Sequence, residues 1–202
     1  MAAYFKIFGW WEKMTDTFID FITEARISQK AEIERYTDLS RNLSRSLYDH
    51  HKAGTSPPEN FDGHSLSMLD KITKKSKLSK TTIVHTGVRH DPSTLTDEHG
   101  HIHLAAYTST SDNHDTARKF AVLQASRNDK SLTDKKPGHV ISIELKKGHH
   151  AVSIQSKSRF REEQERLLPR NTKLKIHPTP TISTDSDGRE IHNWTAHVVS
   201  QE

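Results

Sequence analysis

Residues 160–171 read FREEQERLLPRN, a stretch in which three glutamates lie close to one glutamine and an apolar step follows. As a strand, it would project Glu163 and Glu165 from one face, because side chains two residues apart share a face. Two carboxylates so close repel each other, and proteins accept such a pair where a site rewards it, for example with a developing cation. As a helix turn, the stretch would be a solvated surface, since Gln164 and Leu167 also fit helical spacing. Taken alone, it favours the solvated turn.

The composition sets limits on the kind of protein. The chain has 202 residues, enough for one domain with its own core. Hydrophobic residues make up 32% and charged residues 28%, so we expect a modest core and a heavily charged surface. The formal net charge of +4 favours acidic partners only weakly. The chain has no Cys, which excludes disulfides, thiolate nucleophiles and Cys-ligated zinc and leaves His, Asp, Glu, Ser and Thr for any chemistry.

The N-terminus, MAAYFKIFGWWEKMTDTFIDFITEAR, alternates large apolar residues with charges. Charges such as Lys6 and Glu12 interrupt the apolar run, which a secretory signal would keep unbroken. The pattern predicts an amphipathic helix that docks on another surface. Since no apolar run approaches the ~20 residues of a membrane helix, we expect a soluble protein without a membrane partner.

Apolar spacings of three and four predict a helix over 27–53, ending near Gly54, and a second short helix that begins near Leu66. After Lys80 the chain changes to short strand-like pieces. These pieces are residues 81–88, 101–110, 138–145, 150–154, 167–177 and 192–200. Helices first and strands afterwards predict an α+β fold with a mostly antiparallel sheet or sandwich.

One helix, residues 113–127, interrupts the strand-like pieces. Asp112 or Asn113 is its expected N-cap, because short polar side chains accept hydrogen bonds from the first turn. The residues available for its apolar side are Ala117, Phe120, Ala121 and Leu123.

Three further features invite a functional hypothesis. Tyr107 and the four small hydroxyl residues that follow it indicate an edge strand leading to a helix cap. Gly87 in VHTGV allows a ligand or another backbone to approach, or marks a tight turn. The histidines of DEHGHIH, residues 97–103, could share a strand face and bind a divalent metal. The plainer interpretation is a loop of exposed histidines, and we predict no metal site.

In this order, VHTGV, then YTSTS with its helix, then EQE ahead of LLPRNTKLKI resemble the mono-ADP-ribosyltransferase family of bacterial toxins and phage enzymes. The resemblance covers roughly residues 33–200. In the class named for arginine, serine and glutamate, the first strand carries Arg-Gly, the second begins Ser-Thr-Ser, and Glu or Gln precedes the catalytic Glu by two. The matching positions here, about 22 and 54 residues apart, are Thr86-Gly87, Ser109-Thr110-Ser111, and Glu163 with Glu165. The resemblance implies a split β-sandwich with an N-terminal helical region, and NAD as the substrate.

The resemblance also implies roles for these residues. Glu165 would hold the ribose hydroxyl of NAD and face the positive charge that grows as nicotinamide leaves. Ser109 would position Glu165 and the ribose, and Glu163 would orient or deprotonate the nucleophile. The residues implied to bind NAD are His85, Thr86, Gly87, Arg89, Ser109 and Thr110.

The acceptor follows from the same pattern. Glu at the first position, here Glu163, accompanies arginine modification in the family, so we expect an Arg on a host protein, with nucleic acid as an alternative acceptor. QSKSRFRE, residues 155–162, would be the loop that meets the acceptor.

Thr86 departs from the family pattern, because the family has there the Arg that grips the NAD phosphates. Arg89, or Arg118 on the helix, would then supply the positive charge. His85 or Thr86 would hydrogen-bond the adenosine side. The sequence does not choose among these residues.

Ile22-Thr23-Glu24 before Ala25 resembles the site at which the prohead protease of large tailed phages cuts after Glu. The resemblance divides the chain into a cleavable capsid-targeting helix (1–24), a helical N-terminal part of the transferase domain (25–80) and a β-rich NAD-binding catalytic core (81–202). It implies an enzyme packed in a phage virion, with capsid and protease as partners, that reaches the host bacterial cytoplasm. A plain docking helix is the alternative for the segment. For the whole chain, the alternative is a non-enzymatic basic virion or nucleic-acid-binding protein that kept the fold.

Overall fold

The structure, a computed structural model, describes residues 29–36, 43–61, 64–127, 135–156 and 161–201. The aromatic N-terminal segment and the cleavage site predicted at Glu24 lie outside these ranges, as do residues 157–160 of the predicted acceptor loop. In the described ranges no helix is long and apolar enough to cross a lipid bilayer.

The helical region comes first in the chain. Residues 29–36 and 43–52 are helical, as predicted, and the chain turns at Gly54, whose φ of 66° suits glycine. The hairpin of β1 (Asn60–Phe61) and β2 (His64–Ser65) leads into helix α1 (Leu66–Lys75). The side chain of Ser65 caps α1 by accepting the Met68 N–H, and the helix ends in a lysine-rich last turn that complements its dipole.

The described residues after α1 contribute nine strands to one sheet. Its strands are β3 (Thr82–Val88), β4 (His101–Leu104), β5 (Thr108–Ser111), β6 (Gly138–Leu145), β7 (Val152–Ser153), β8 (Glu165–Leu168), β9 (Thr172–Ile176), β10 (Thr181–Thr184) and β11 (Glu190–Gln201). Their order across the sheet is β4-β9-β11-β6-β3-β5-β8-β7, with β10 paired to β11. The β6–β11 pair is parallel and the other described pairs are antiparallel, as predicted.

The sheet is split between β3 and β5. On one side, β3 pairs with β6 along its whole length from Thr82 to Val88. On the other, β3 meets β5 at one residue pair, His85 with Ser111. The backbone ladder that defines a sheet is therefore almost broken at this point, and the strands form two halves. This is the split β-sandwich with a helical N-terminal region that the family resemblance implied.

Two predicted strand pieces prove to be two strands each. Residues 101–110 form β4 and β5, which lie in different halves of the sheet and are joined by a buried link at 105–107. Residues 167–177 contain the end of β8 and all of β9, and between them Asn171 has a φ of 61°. Asn tolerates this left-handed conformation, so it makes the turn. Strand β10 was not predicted, because all four of its residues are exposed and it has no apolar face.

Helix α2 (His114–Ser126) confirms the predicted helix and selects Asn113 as its N-cap. The Asn113 side chain accepts the N–H of Asp115 at 2.8 Å. Among the residues expected on its apolar side, Ala117 and Ala121 are buried. Phe120 and Leu123 were placed there wrongly, since they are 37% and 49% exposed.

Gly87 on β3 explains why helix α2 presents small residues, Ala117 and Ala121, to the sheet. A Cβ added to Gly87 on β3 would lie 2.3 Å from the carbonyl oxygen of Ala117 and 2.5 Å from the nitrogen of Ala121. The helix backbone therefore rests directly on the strand backbone, and large side chains have no room between them. The sequence left open what approaches Gly87, and the structure shows that it is another backbone.

Candidate functional site

A cavity of about 420 Å³ opens where the sheet splits. Strands β3 and β5, helix α2 and the segment around Glu163 supply its walls. The lining residues are His85, Thr86, Gly87, Ser109, Thr110, Ser111, Thr116, Ala117, Phe120, Gln124, Glu163 and Glu165. The three sequence motifs that lie far apart in the chain thus meet in one cavity.

The two glutamates occupy different structural elements. Glu165 is the first residue of β8 and is 9% exposed. Glu163 ends a short 3-10 turn, Arg161–Glu163, and is half-buried. Gln164 between them has a φ of 48°, a left-handed conformation that is uncommon for a non-glycine residue. The interpretation of both glutamates as one strand face was therefore wrong for Glu163, although both carboxylates do reach the same cavity.

Strand β5 holds the turn in place. The Ser111 hydroxyl donates to the Glu163 carbonyl at 2.6 Å and accepts the Asn113 N–H at 2.9 Å. The Asp112 N–H donates to the Gln164 carbonyl at 3.2 Å. One serine therefore ties the N-terminus of α2 to the glutamate turn, which explains how an unfavourable backbone conformation persists beside the cavity.

The surroundings of Glu163 change the proton affinity of its carboxyl. Burial raises the pKa of the Glu163 carboxyl above its ordinary value, and the nearby Glu165 and Glu162 carboxylates raise it further. A carboxylate with a raised pKa is a better proton acceptor once ionised. The arrangement places a carboxyl with a raised pKa beside the buried Glu165 side chain.

Strands β5 and β8 are antiparallel neighbours, so the hydroxyl residues of β5 lie beside the start of β8, where Glu165 is. Ser111 lies opposite Glu165, and Ser109 lies opposite Leu167, diagonal to Glu165 on the same face. Ser109 is exposed to the cavity, whereas the Thr110 hydroxyl donates to the backbone carbonyl of Arg166 at 2.9 Å. The Ser109 hydroxyl is thus accessible to a ligand in the cavity, whereas the Thr110 hydroxyl mainly links β5 to β8.

Thr86, at the position where the family pattern has Arg, bonds to another strand. Its hydroxyl donates to the Ser109 carbonyl at 3.1 Å and so bridges the split between β3 and β5. A phosphate needs donors, and the single donor of Thr86 is already engaged. Thr86 can still accept a hydrogen bond from a bound ligand.

His85 lies on the same wall. Its Nδ1 is 2.9 Å from the Ser142 hydroxyl, and its ring meets that of His114 edge to face at 5.0 Å. Burial lowers the pKa of His85 below its ordinary value, and neighbouring His114 lowers it further. The imidazole is therefore held neutral near pH 7 and can contribute hydrogen bonds but no charge.

The cavity lining that the structure describes contains neither Lys nor Arg. Arg89 lies just past the end of β3 and is exposed, outside the lining. Arg118 donates to the Thr184 carbonyl at 2.8 Å, on the side of α2 that faces β10. The assignment of a cation to the NAD phosphates stays a prediction.

The histidine-rich loop at 97–103 has a structural explanation. The Asp97 carboxylate accepts the backbone N–H groups of His99 and His101 at 2.9 and 2.8 Å, which closes the turn into β4. Among the described residues, no group of three or more His, Cys, Asp or Glu is placed to hold a metal ion.

Sequence reasoning missed the wall that α2 provides. Thr116, Phe120 and Gln124 line the cavity at intervals of four residues, so they form one helix face. That spacing is visible in the sequence, but a Thr, a Phe and a Gln four residues apart do not by themselves indicate a binding face.

Comparison with known proteins identifies the class. The sequence profile of the ADP-ribosyltransferase exoenzyme family matches residues 8–199, so the chain belongs to that family. Plx2a, an ADP-ribosyltransferase toxin from Paenibacillus larvae, is similar in structure, with 21% identity, a TM-score of 0.63 and 86% of each chain covered. The Clostridium limosum C3 exoenzyme is similar at 16% identity and a TM-score of 0.60, covering 89% of this chain and 95% of that one.

A third similar structure, C3stau2 from S. aureus, was solved with NAD. It shares 18% identity over 89% of this chain and 91% of that one, with a TM-score of 0.57. A search of curated protein sequences gave no match. The protein is an NAD-dependent ADP-ribosyltransferase of the exoenzyme toxin class, which confirms the predicted family, fold, activity and substrate.

Proposed function

We propose that this enzyme transfers ADP-ribose from NAD to an arginine side chain of a host protein, with Glu165, Glu163 and Ser109 as its catalytic residues. The observation that carries the proposal is the meeting of these three side chains in the cavity at the split of the sheet.

Glu165 is assigned to the bond that breaks. When the bond between nicotinamide and ribose breaks, nicotinamide leaves with the electron pair and positive charge grows on the ribose. A carboxylate beside that charge stabilises the transition state more than the ground state. Glu165 is 9% exposed, so water screens its charge weakly, and its place in the β5–β8 ladder holds it still.

Glu163 is assigned to the acceptor. It lies at the rim, more exposed than Glu165, next to the segment expected to meet the target. A guanidinium must lose a proton as its nitrogen bonds to the ribose, and a carboxylate can both orient it bidentately and accept that proton. The raised pKa of Glu163 supports the second task.

The NAD phosphates are assigned to Arg89. It follows β3 directly, and no cation lines the described cavity. We expect Arg89→Ala to raise the KM for NAD by about 10-fold, as loss of a charge-assisted hydrogen bond would. Arg118→Ala is the matched control, since its guanidinium is bonded to Thr184 away from the cavity, and it should leave the KM unchanged.

The catalytic assignment is tested with labelled NAD and bacterial lysate. Glu165→Gln should lower both NAD hydrolysis and protein labelling by about 10²–10³-fold. Glu163→Gln should lower labelling of protein, and of a small guanidine compound, while NAD hydrolysis continues. Glu162→Gln, an exposed neighbour in the same turn, is the control and should keep both activities near those of the wild type, because burial is the main cause of the raised Glu163 pKa.

Two results would overturn parts of this proposal. Equal labelling by the wild type and by Glu165→Gln would refute the catalytic role of Glu165. Label that resists protease but is released by nuclease would move the acceptor from protein to nucleic acid.

The non-enzymatic alternative makes opposite predictions. A basic protein that kept only the fold would bind DNA with steep salt dependence and leave NAD intact. The enzyme should instead gain thermal stability when a non-hydrolysable NAD analogue binds, and lose that gain in Ser109→Ala. Membership in an enzyme family favours the second outcome.

Delivery from a phage head is a separate proposal, supported by the resemblance of Ile22-Thr23-Glu24 to a prohead protease site. Mass spectrometry of protein from purified virions tests it. A mature chain that begins at Ala25 is the expected result, and a chain with any other start would count against cleavage there.

A further inference from the structure

We propose that Tyr36, in the N-terminal helical region, is a positioning residue of the active site that orients Ser109 through a hydrogen bond between their hydroxyl groups. The proposal rests on the catalytic role of Ser109 proposed above. It adds a residue from outside the three motifs to the catalytic apparatus.

Tyr36 contacts the start of β5 from the helical region. It is 2% exposed, and its ring meets that of Tyr107 edge to face, with centroids 6.3 Å apart and planes at 87°. Its hydroxyl oxygen lies 3.2 Å from the Tyr107 carbonyl oxygen and 3.4 Å from Ser109 Oγ. The ring is thus fixed by packing, and the hydroxyl is aimed at the start of β5.

The donor inventory gives this contact a direction. Ser109 has one hydroxyl hydrogen and two lone pairs. If Ser109 donates that hydrogen to Glu165, as its proposed role requires, then it must accept from Tyr36. Tyr36 can then donate to Ser109 Oγ as well as to the Tyr107 carbonyl, a three-centre arrangement that both distances allow. Ser44 is a further hydrogen-bonding partner of the Tyr36 hydroxyl. Tyr36 therefore donates to one lone pair of Ser109 Oγ. The hydroxyl hydrogen of Ser109 then remains available to groups in the cavity.

Electrostatics keep Tyr36 in the donating form. Burial raises the pKa of Tyr36 above its ordinary value, the Ser109 hydrogen bond opposes this, and the Glu165 carboxylate raises the pKa as well. Glu165 thus lies near enough for its charge to act on the phenol. A neutral tyrosine beside a catalytic carboxylate is a stable hydrogen-bond donor at every pH at which the enzyme would work.

The experiment is a double-mutant cycle on NAD hydrolysis with Tyr36→Phe, Ser109→Ala and the double variant. Tyr36→Phe removes the hydroxyl and keeps the ring that packs on Tyr107. We expect it to lower kcat by about 3- to 10-fold, the effect of one hydrogen bond, with little change in KM. In the Ser109→Ala background the same change should lower kcat less than 2-fold, because the partner is already gone.

Two control variants separate positioning from general loosening. Tyr107→Phe breaks the hydrogen bonds of its own hydroxyl to the Leu66 carbonyl and Asp70, so it should lower the Tm while leaving the Tyr36–Ser109 contact in place. Tyr48→Phe makes the same chemical change at a 41%-exposed position of the helical region. Both should keep kcat within 2-fold of the wild type at a temperature where all variants are folded.

The outcomes separate a failure of this proposal from a failure of the proposed catalytic role of Ser109. If Ser109→Ala has wild-type kcat, the catalytic role of Ser109 fails and this inference falls with it. If Ser109→Ala is impaired but Tyr36→Phe is not, or if the two losses multiply in the double variant, Tyr36 is structural and this inference alone is refuted. An equal loss of kcat in Tyr107→Phe would refute it as well.

Discussion

The contact between Gly87 and helix α2 makes a prediction that can be worked out from distances. In Gly87→Ala, the new methyl would lie 2.3 Å from the Ala117 carbonyl oxygen and 2.5 Å from the Ala121 nitrogen, where ordinary contact begins at 3.4 Å. The φ of Gly87 is not among the positive values in this chain, so the alanine backbone itself is unstrained. The helix must move by about 1 Å, because both obstacles are backbone atoms.

The size of the effect follows from two opposing terms. Replacing glycine by alanine stabilises by about 0.4–1 kcal/mol through the unfolded chain. Overpacking of this kind costs about 1–3 kcal/mol, so we expect a net loss of about 1–2 kcal/mol. For a chain of 202 residues this corresponds to a Tm lower by roughly 2–8 °C. The displaced helix carries Ala117 and Phe120, which line the cavity, so the KM for NAD should rise too.

Gly138→Ala on the neighbouring strand is the matched control. There the nearest atom, at 3.0 Å, is the end of the Ile191 side chain, and the α2 backbone is 3.3 Å away. A side-chain tip can move, so we expect the unfolding free energy to change by less than about 0.5 kcal/mol. Urea unfolding and thermal melts of both variants provide the measurement. If Gly138→Ala destabilises as much as Gly87→Ala, or if Gly87→Ala matches the wild type, the backbone-contact argument is refuted.

Three further predictions concern stability and pH. Because Gln164 has a φ of 48°, Gln164→Gly should keep the fold and Gln164→Val should cost about 1–2 kcal/mol by urea unfolding, and equal stabilities would contradict this. Because the folded state lowers the pKa of His85, its contribution to stability is present above the unfolded pKa of about 6.5 and is lost as pH falls from there through the lower folded pKa. His85→Gln should therefore lose less stability between about pH 7.5 and 5 than the wild type does, and parallel pH curves would count against this. Asp70→Asn should cost about 1–3 kcal/mol in unfolding free energy at neutral pH, because it breaks the bidentate pair with Arg170 at 2.8 and 3.0 Å and disturbs the bond from Tyr107; an unchanged urea midpoint would refute this.

Local signals were enough to predict much of the fold. The cap at Asn113, the glycine turn at 54 and the alternation of buried and half-buried residues in β9 are read from a few neighbouring residues. The order of three short motifs then predicted which strands would meet, because a known fold brings them together. Fold class, activity and the location of Glu165 in a strand followed from that.

The rest depended on contacts between distant parts of the chain. The bond from Ser111 to the Glu163 carbonyl spans 52 residues, and the sequence EEQE alone does not show that the turn ends just before Glu165 begins the strand. Tyr36 and Ser109 lie 73 residues apart, and the helical spacing of Tyr36 marked it as a core residue, which it also is. Gly87 needed the position of α2 to explain it. In each case the deciding contact joins residues far apart in the chain, and no local pattern contains such a contact.

The division of the glutamate pair between a turn and a strand has a consequence for how such enzymes diversify. Under the proposed roles, the residue that meets the acceptor lies in Arg161–Glu163 and is anchored through its backbone by Ser111, while the residue that meets NAD is fixed by the β5–β8 ladder. An exchange of side chains in that turn leaves the anchoring bond and the ladder untouched. Substitutions in this three-residue turn could therefore change the acceptor during evolution, while the residues that act on NAD stay the same.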